Sequence, residues 1–124
     1  MTNLREIYAC TICSNVVGIE IEGTGKLSCC DQEMKLEEAR TADAAMEKHV
    51  PLVEYRDYGA LVKVGNTEHP MNDDHYIVYI EIYDGDIRRR KYLKPGMKPE
   101  VFFEGASDNI VAKEYCNKHG LWKS

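Results

Sequence analysis

No apolar run in this 124-residue chain approaches the length of a membrane span. The N-terminus, MTNLREIYAC, carries no signal-peptide core. The expectation is a protein that neither enters a membrane nor is exported, with the cytoplasm as its default location. Positive charge is not in surplus. The formal net charge is -5, which provides no broad basic surface for nucleic acid. That field also repels anions, so an anionic substrate needs local positive charge near its site. Internal repeats and low-complexity segments are absent. An even set of cysteines is missing too, and five thiols in a reducing compartment read as metal ligands or reactive groups before disulfides. What remains, 44% hydrophobic and 30% charged, is the composition of a globular chain.

The five cysteines and four histidines fall into two groups with none left over. Cys10, Cys13, Cys29 and Cys30 occupy the first quarter. The Cys10-x-x-Cys13 spacing suits a tight knuckle in which two sulfurs face one ion and backbone N–H groups donate to them. Cys29 and Cys30 are adjacent, and consecutive side chains of an extended backbone diverge. Both reach one ion only if the backbone bends there. Structural zinc sites usually keep residues between paired ligands, so the adjacency favours iron. A zinc knuckle and a pair of disulfides remain the alternatives. His49, His69, His75, Cys116 and His119 form the second group, and they exceed what a closed tetrahedron accepts. His49, His69 and His75 each sit where a loop meets a strand, the end at which sandwich proteins gather functional residues.

Residues 1–37 read as a minimal domain too short to bury a sufficient core, so that metal binding must supply much of its folding free energy. Short alternating stretches, Glu6 to Ala9 and Val16 to Glu22, precede a turn at Gly23-Thr24-Gly25. Residues 38–48 read as a linker with a helical turn. Residues 49–124 are β in pattern, with strands expected at 50–56, 60–65, 76–83, 87–94, 100–104, 109–115 and 120–123. Asp84-Gly85-Asp86 and Lys94-Pro95-Gly96 mark turns. The expected fold is mainly β, a small metal-bound N-terminal domain followed by an antiparallel sandwich of immunoglobulin type.

At both cysteine clusters, and at Glu47-Lys48-His49-Val50-Pro51, His69-Pro70-Met71, His75-Tyr76-Ile77, Leu93-Lys94-Pro95-Gly96 and Glu114-Tyr115-Cys116-Asn117, the chain resembles the desulfoferrodoxins, the two-iron class of superoxide reductases. The likeness spans essentially the whole chain and keeps the order of all its metal ligands. It implies two iron ions per chain. One is held by Cys10, Cys13, Cys29 and Cys30 as in desulforedoxin. The other has His49, His69, His75 and His119 around its equator and Cys116 on its axis. The implied activity is one-electron reduction of superoxide to hydrogen peroxide without release of oxygen, a detoxification. The implied partners are superoxide, a rubredoxin-like or other reductase donor, and a second copy in a homodimer, with neither nucleic acid nor membrane involved. Two residues depart from the family pattern: Ser14, where glycine is frequent, and Lys118, where an apolar residue is more usual beside the thiolate.

In that frame neutral imidazoles leave the ferrous state undisturbed by added negative charge, while the thiolate pushes electron density toward the position trans to it. Lys48 is the expected local cation, drawing superoxide in and orienting a water that delivers a proton. Glu47, by the same resemblance, occupies the sixth position of the oxidised iron. Lys118 is expected to point to water. Arg88-Arg89-Arg90-Lys91 reads as a solvated strand edge in preference to a donor-docking patch, Glu114 as a surface residue, and Trp122 as core or interface. A zinc-knuckle interaction module and a pure electron carrier with a closed second metal are the competing functions.

Overall fold

The computed structural model describes residues 1–41, 49–65 and 68–124. All regular structure among these residues is β, and the chain divides into two units, Met1–Glu38 and Ala39–Ser124.

The first unit has a three-stranded antiparallel sheet in which β1 (Ile7–Ala9) lies between β2 (Val16–Gly18) and β5 (Lys35–Glu37). A separate hairpin joins β3 (Ser28–Cys29) to β4 (Gln32–Glu33). β2 stops at Gly18, earlier than the alternating stretch to Glu22 had indicated. Strands β3 to β5 carry no sequence signal of their own, being two or three residues long. The buried side chains amount to Thr2, Ile7, Ala9, Cys10 and Met34. So few are consistent with a fold that leans on its cysteine cluster.

The second unit is a sandwich of two antiparallel sheets. One has the order β10 (Glu100–Glu104), β7 (Gly59–Val64), β6 (Pro51–Arg56). The other runs β12 (Gly120–Lys123), β11 (Val111–Cys116), β8 (Ile77–Asp84), β9 (Ile87–Tyr92). Ala60, Val62, Val64, Val101 and Phe103 from the first sheet meet Ile77, Ile80, Ile82, Ala112 and Cys116 from the second in one apolar core. These are alternate positions of their strands, as period-two patterning requires, except that β8 steps from Ile80 to Ile77 where its register with β11 shifts. The Asp57-Tyr58 hairpin needs Gly59, whose φ is 155° and where any Cβ would collide with the Phe103 carbonyl.

Edge strand β9 carries the basic run, and alternation splits it. Arg89 reaches across to the Glu104 carbonyl of the facing sheet at 2.7 Å. Arg90 pairs with Glu81 at 2.7 Å and lies over the Tyr79 ring at 3.9 Å. Arg89 and Arg90 are thus committed within the fold. Of the segment read as a linker, Arg40 pairs with Trp122 beside β12. The helical turn read there, together with Glu47 and Lys48, falls at 42–48, outside the described residues.

Candidate metal centres

In the first unit the chain leaves β1 directly into Cys10, whose N–H donates to the Asn15 carbonyl at 2.8 Å while its carbonyl accepts from Ser14 N–H at 3.1 Å. Inside that loop the N–H groups of Ile12 and Cys13 donate to Cys10 Sγ at 3.4 and 3.5 Å. Those amides pull the Cys10 thiol down to about 6, so it is a thiolate at neutral pH. Ser14 holds a φ of 69°, the left-handed region that glycine enters at least cost.

The adjacent pair converges because the β3–β4 hairpin turns on Cys30 and Asp31, with φ of 54° and 60°. This is the backbone bend that adjacency demanded. Cys13 and Cys29 sulfurs lie 3.5 Å apart, Cys29 and Cys30 sulfurs 3.9 Å, and all four fall within 4.8 Å of one another. Metal–sulfur bonds of about 2.3 Å in a tetrahedron put sulfurs about 3.8 Å apart, so the donors fit one ion. All four thiols are free of disulfides. Hydrogen bonds from neighbouring thiols raise Cys29, and raise Cys30 to about 12. Four thiolates crowded together need a cation to be held at once.

In the second unit three loops and one turn bring the imidazoles together at one end of the sandwich. His49 stands just before β6, where Gly65 N–H donates to the Val50 carbonyl at 3.0 Å. The His69 loop is held by the turn at 94–97. Gly96 N–H donates to the Met71 carbonyl at 2.9 Å, and Ile77 N–H to Met71 Sδ at 3.4 Å. These contacts explain why His69-Pro70-Met71 and Lys94-Pro95-Gly96 occur in the same chain. His75 closes a tight turn with Asn72, the two exchanging backbone bonds at 2.9 and 3.2 Å. Cys116 ends β11 at a β-bulge that sets it opposite Ile77, and His119 lies in the turn to β12.

Asn117 stitches these last two pieces together. Its Oδ1 accepts from Tyr76 N–H at 2.9 Å and its Nδ2 donates to the Asp74 carbonyl at 3.1 Å. Lys118 is half-exposed, its ammonium 3.9 Å from the Asp74 carboxylate. It faces water, loosely paired, as expected.

The four rings form a near-square. Successive centroids are 4.8 Å apart for His49–His69, 4.7 Å for His69–His75, 5.0 Å for His75–His119 and 4.6 Å for His119–His49. Across the square His49 and His75 are 6.4 Å apart. Neighbouring planes cross at 68° to 80°, whereas the opposed pair differ by 31°. With metal–nitrogen bonds of about 2.1 Å, nitrogens at right angles lie about 3.0 Å apart and opposed ring centres about 6.4 Å. His49 Nε2 and His119 Nδ1 are 3.0 Å apart. The square fits one ion.

Cys116 Sγ sits 3.7 Å from His119 Nδ1, and the side-chain donors of His49, His75, Cys116 and His119 lie within 4.8 Å of one another. His69 completes the ring through its contacts with His49 and His75. Its Nδ1 is 2.7 Å from the Pro70 carbonyl, and its Nε2 is buried without a hydrogen-bond partner. That pattern puts the proton on Nδ1 and leaves the Nε2 lone pair for a metal. Burial pushes the His69 pKa down to about 4, keeping the ring neutral. Cys116 is 0% exposed, and burial raises its thiol while the amides of Lys118 and His119 lower it. His119 is exposed. The sulfur is therefore shielded from solvent with His49 and His69, and the site opens on the side of His75 and His119.

One neighbour was misjudged from sequence, and one does more than its reading said. Glu114 is not on the surface. It is 0% exposed, and its charge raises the Cys116 thiol. The signal was present: two residues before an inward-facing cysteine on a strand, it must share that face. Trp122, read only as core or interface, lies against His49 itself.

Residues 41–124 match the family model described as Desulfoferrodoxin, and residues 2–36 that of the desulfoferrodoxin N-terminal domain. A desulfoferrodoxin homolog from Archaeoglobus fulgidus is 46% identical over 124 residues, covering 100% of this chain and 99% of that one. A desulfoferrodoxin from Desulfarculus baarsii is 47% identical, covering 100% of this chain and 98% of that one. The crystal structure of the superoxide reductase from Treponema pallidum has a TM-score of 0.74 at 27% identity, covering 96% of this chain and 95% of that one.

Proposed function

The chain belongs to the desulfoferrodoxin family, and we propose from that footing that it is a superoxide reductase working at the ring of four imidazoles with its buried thiolate. Superoxide takes up one electron and two protons to become hydrogen peroxide, and no oxygen is released. The observation that carries the reading is the donor set: His49, His69, His75 and His119 square around one point, with the buried Cys116 sulfur 3.7 Å from His119 Nδ1. Iron held by these five side chains would supply the electron through its ferrous–ferric couple, with an external reductase as the source of replacement electrons.

The chain's own residues set the conditions. The imidazoles bind as neutral donors, which His69 exemplifies, so the ion keeps its charge and an anion is attracted to it. Cys116 is sequestered from solvent and steadied by the amides of Lys118 and His119. It lies on the shielded side of the site, leaving the outer, open side for substrate. Lys48, next to His49, is assigned the local positive charge that an anionic substrate of an acidic chain needs, and the proton is delivered through water beside it. Glu47, two positions before His49 in sequence, is assigned as the carboxylate that would compete with an incoming anion for that outer side. Cys10, Cys13, Cys29 and Cys30 hold a second iron that stabilises the first unit. A rubredoxin-like or other reductase supplies electrons, the active form is a homodimer, and the cytoplasm is the place of action.

Azide or cyanide titration of the iron-loaded protein tests the open outer position. Either anion is expected to shift the visible spectrum of the second centre while leaving that of the four-cysteine centre unchanged. A second centre indifferent to both anions would mark a closed electron carrier and contradict the proposal.

A further inference from the structure

The chain's one tryptophan touches the ring of one of the four histidines and the backbone of another at once. The Trp122 indole lies against the His49 ring with 4.8 Å between centroids and 16° between planes. Its Nε1–H donates to the His119 carbonyl at 3.1 Å. His49 and His119 come from opposite ends of the sandwich sequence, so a single buried side chain spans the join between them.

Trp122 is itself held. The Arg40 guanidinium lies 4.9 Å from the indole centroid, within cation–π range. The Arg40 backbone is zippered to β12, its N–H donating to the Leu121 carbonyl at 3.0 Å and its carbonyl accepting from Lys123 N–H at 2.9 Å. The order Arg40, Trp122, His49 therefore runs from a backbone-anchored cation, through a rigid plane, to a metal-facing ring.

An imidazole bound through one nitrogen turns freely about that bond unless something fixes its plane. For His69 the Pro70 carbonyl does so. For His49 the near-parallel indole presents a flat wall, and the same indole fixes the backbone that carries His119.

We propose that Trp122, braced by Arg40, is a positioning residue of the second centre. It sets the plane of His49 and its separation from His119, and thereby how firmly that centre holds its ion. The inference rests on reading the centre as an iron site.

The full chain with both centres iron-loaded tests it, and the four-cysteine centre serves as the internal control. Iron transfer to a chelator is followed for each centre through its own visible absorption. Trp122→Leu, which removes stack and donor, and Arg40→Ala, which removes only an exposed brace, are expected to speed loss from the second centre about tenfold. Trp122→Phe keeps a stacking ring without the N–H and falls between. Arg40→Lys restores a cation and moves retention back toward the wild type. Emission from the lone indole, quenched when the second centre fills, should recover in step with iron loss.

Equal retention in Trp122→Leu, Arg40→Ala and the wild type overturns the inference. So does equal loosening of both centres in Arg40→Ala, which marks a general loss of structure. A wild-type second centre that takes up no iron overturns the functional reading and this inference together. A wild type that holds iron beside unaffected variants overturns this inference alone.

Discussion

A single side chain is proposed to draw the anionic substrate to an acidic protein's metal site. With a net charge of -5 the chain repels superoxide at long range, and Lys48, beside His49 in sequence, is the cation proposed to offset it. Lys48→Ile should slow the superoxide reaction about tenfold while leaving the iron spectrum nearly unchanged. Pulse radiolysis checks this, and an unchanged rate removes Lys48 from the mechanism. Ser14 shows the opposite kind of residue, one that fits its place poorly. At φ 69° a non-glycine residue carries backbone strain, so Ser14→Gly should stabilise the knuckle by about 1 kcal/mol. Slower loss of the four-cysteine iron to a chelator would register it, and faster loss would contradict it. The ligands were legible one by one because cysteine and histidine are what soft metals bind. Glu114 was not, since a carboxylate two positions from a ligand says nothing until the strand's inward face is applied to it.

Among the elements, β-strands of the sandwich stood out because their alternation is set by two sheets closing on one core. Observed strands such as Ile77–Asp84 and Glu100–Glu104 lie within a residue of the pattern. Strands β3 to β5 did not stand out. Their positions follow from the thiolates gathering round one point, and propensity over two or three residues carries no such information. The basic run on β9 was legible as an edge, but its division was not. Arg90 is committed to a carboxylate, Glu81, that is 1% exposed. Removing Arg90 leaves that buried charge without its cation, so Arg90→Ala should cost about 3 kcal/mol of stability. Arg89→Ala loses a bond to an exposed carbonyl and should cost about 1 kcal/mol. Urea denaturation of the two variants compares them. Equal midpoints would mean the Glu81 pair adds nothing beyond an ordinary hydrogen bond.

At the scale of the molecule, two units carry two chemically different centres. The first unit's few buried side chains surround four thiolates, whereas the sandwich has a core of its own and can hold an over-complete ligand set in shape. That difference explains why one centre is a tetrahedron that builds its surroundings and the other a square that its surroundings build. The second arrangement could be named from sequence only as a surplus of ligands. Its squareness came from loops meeting at one end, which spacing along the chain does not encode. The central claim is that this square, with Cys116, reduces superoxide and does not dismute it. The most direct measurement is a product count: reduced, iron-loaded protein is given a known amount of superoxide in a sealed anaerobic cell, and peroxide and oxygen are both read. The account predicts one peroxide for each superoxide consumed, oxidation of the second iron in step, and no oxygen from the reaction. Oxygen appearing at half the superoxide consumed, with the iron left reduced, would contradict it.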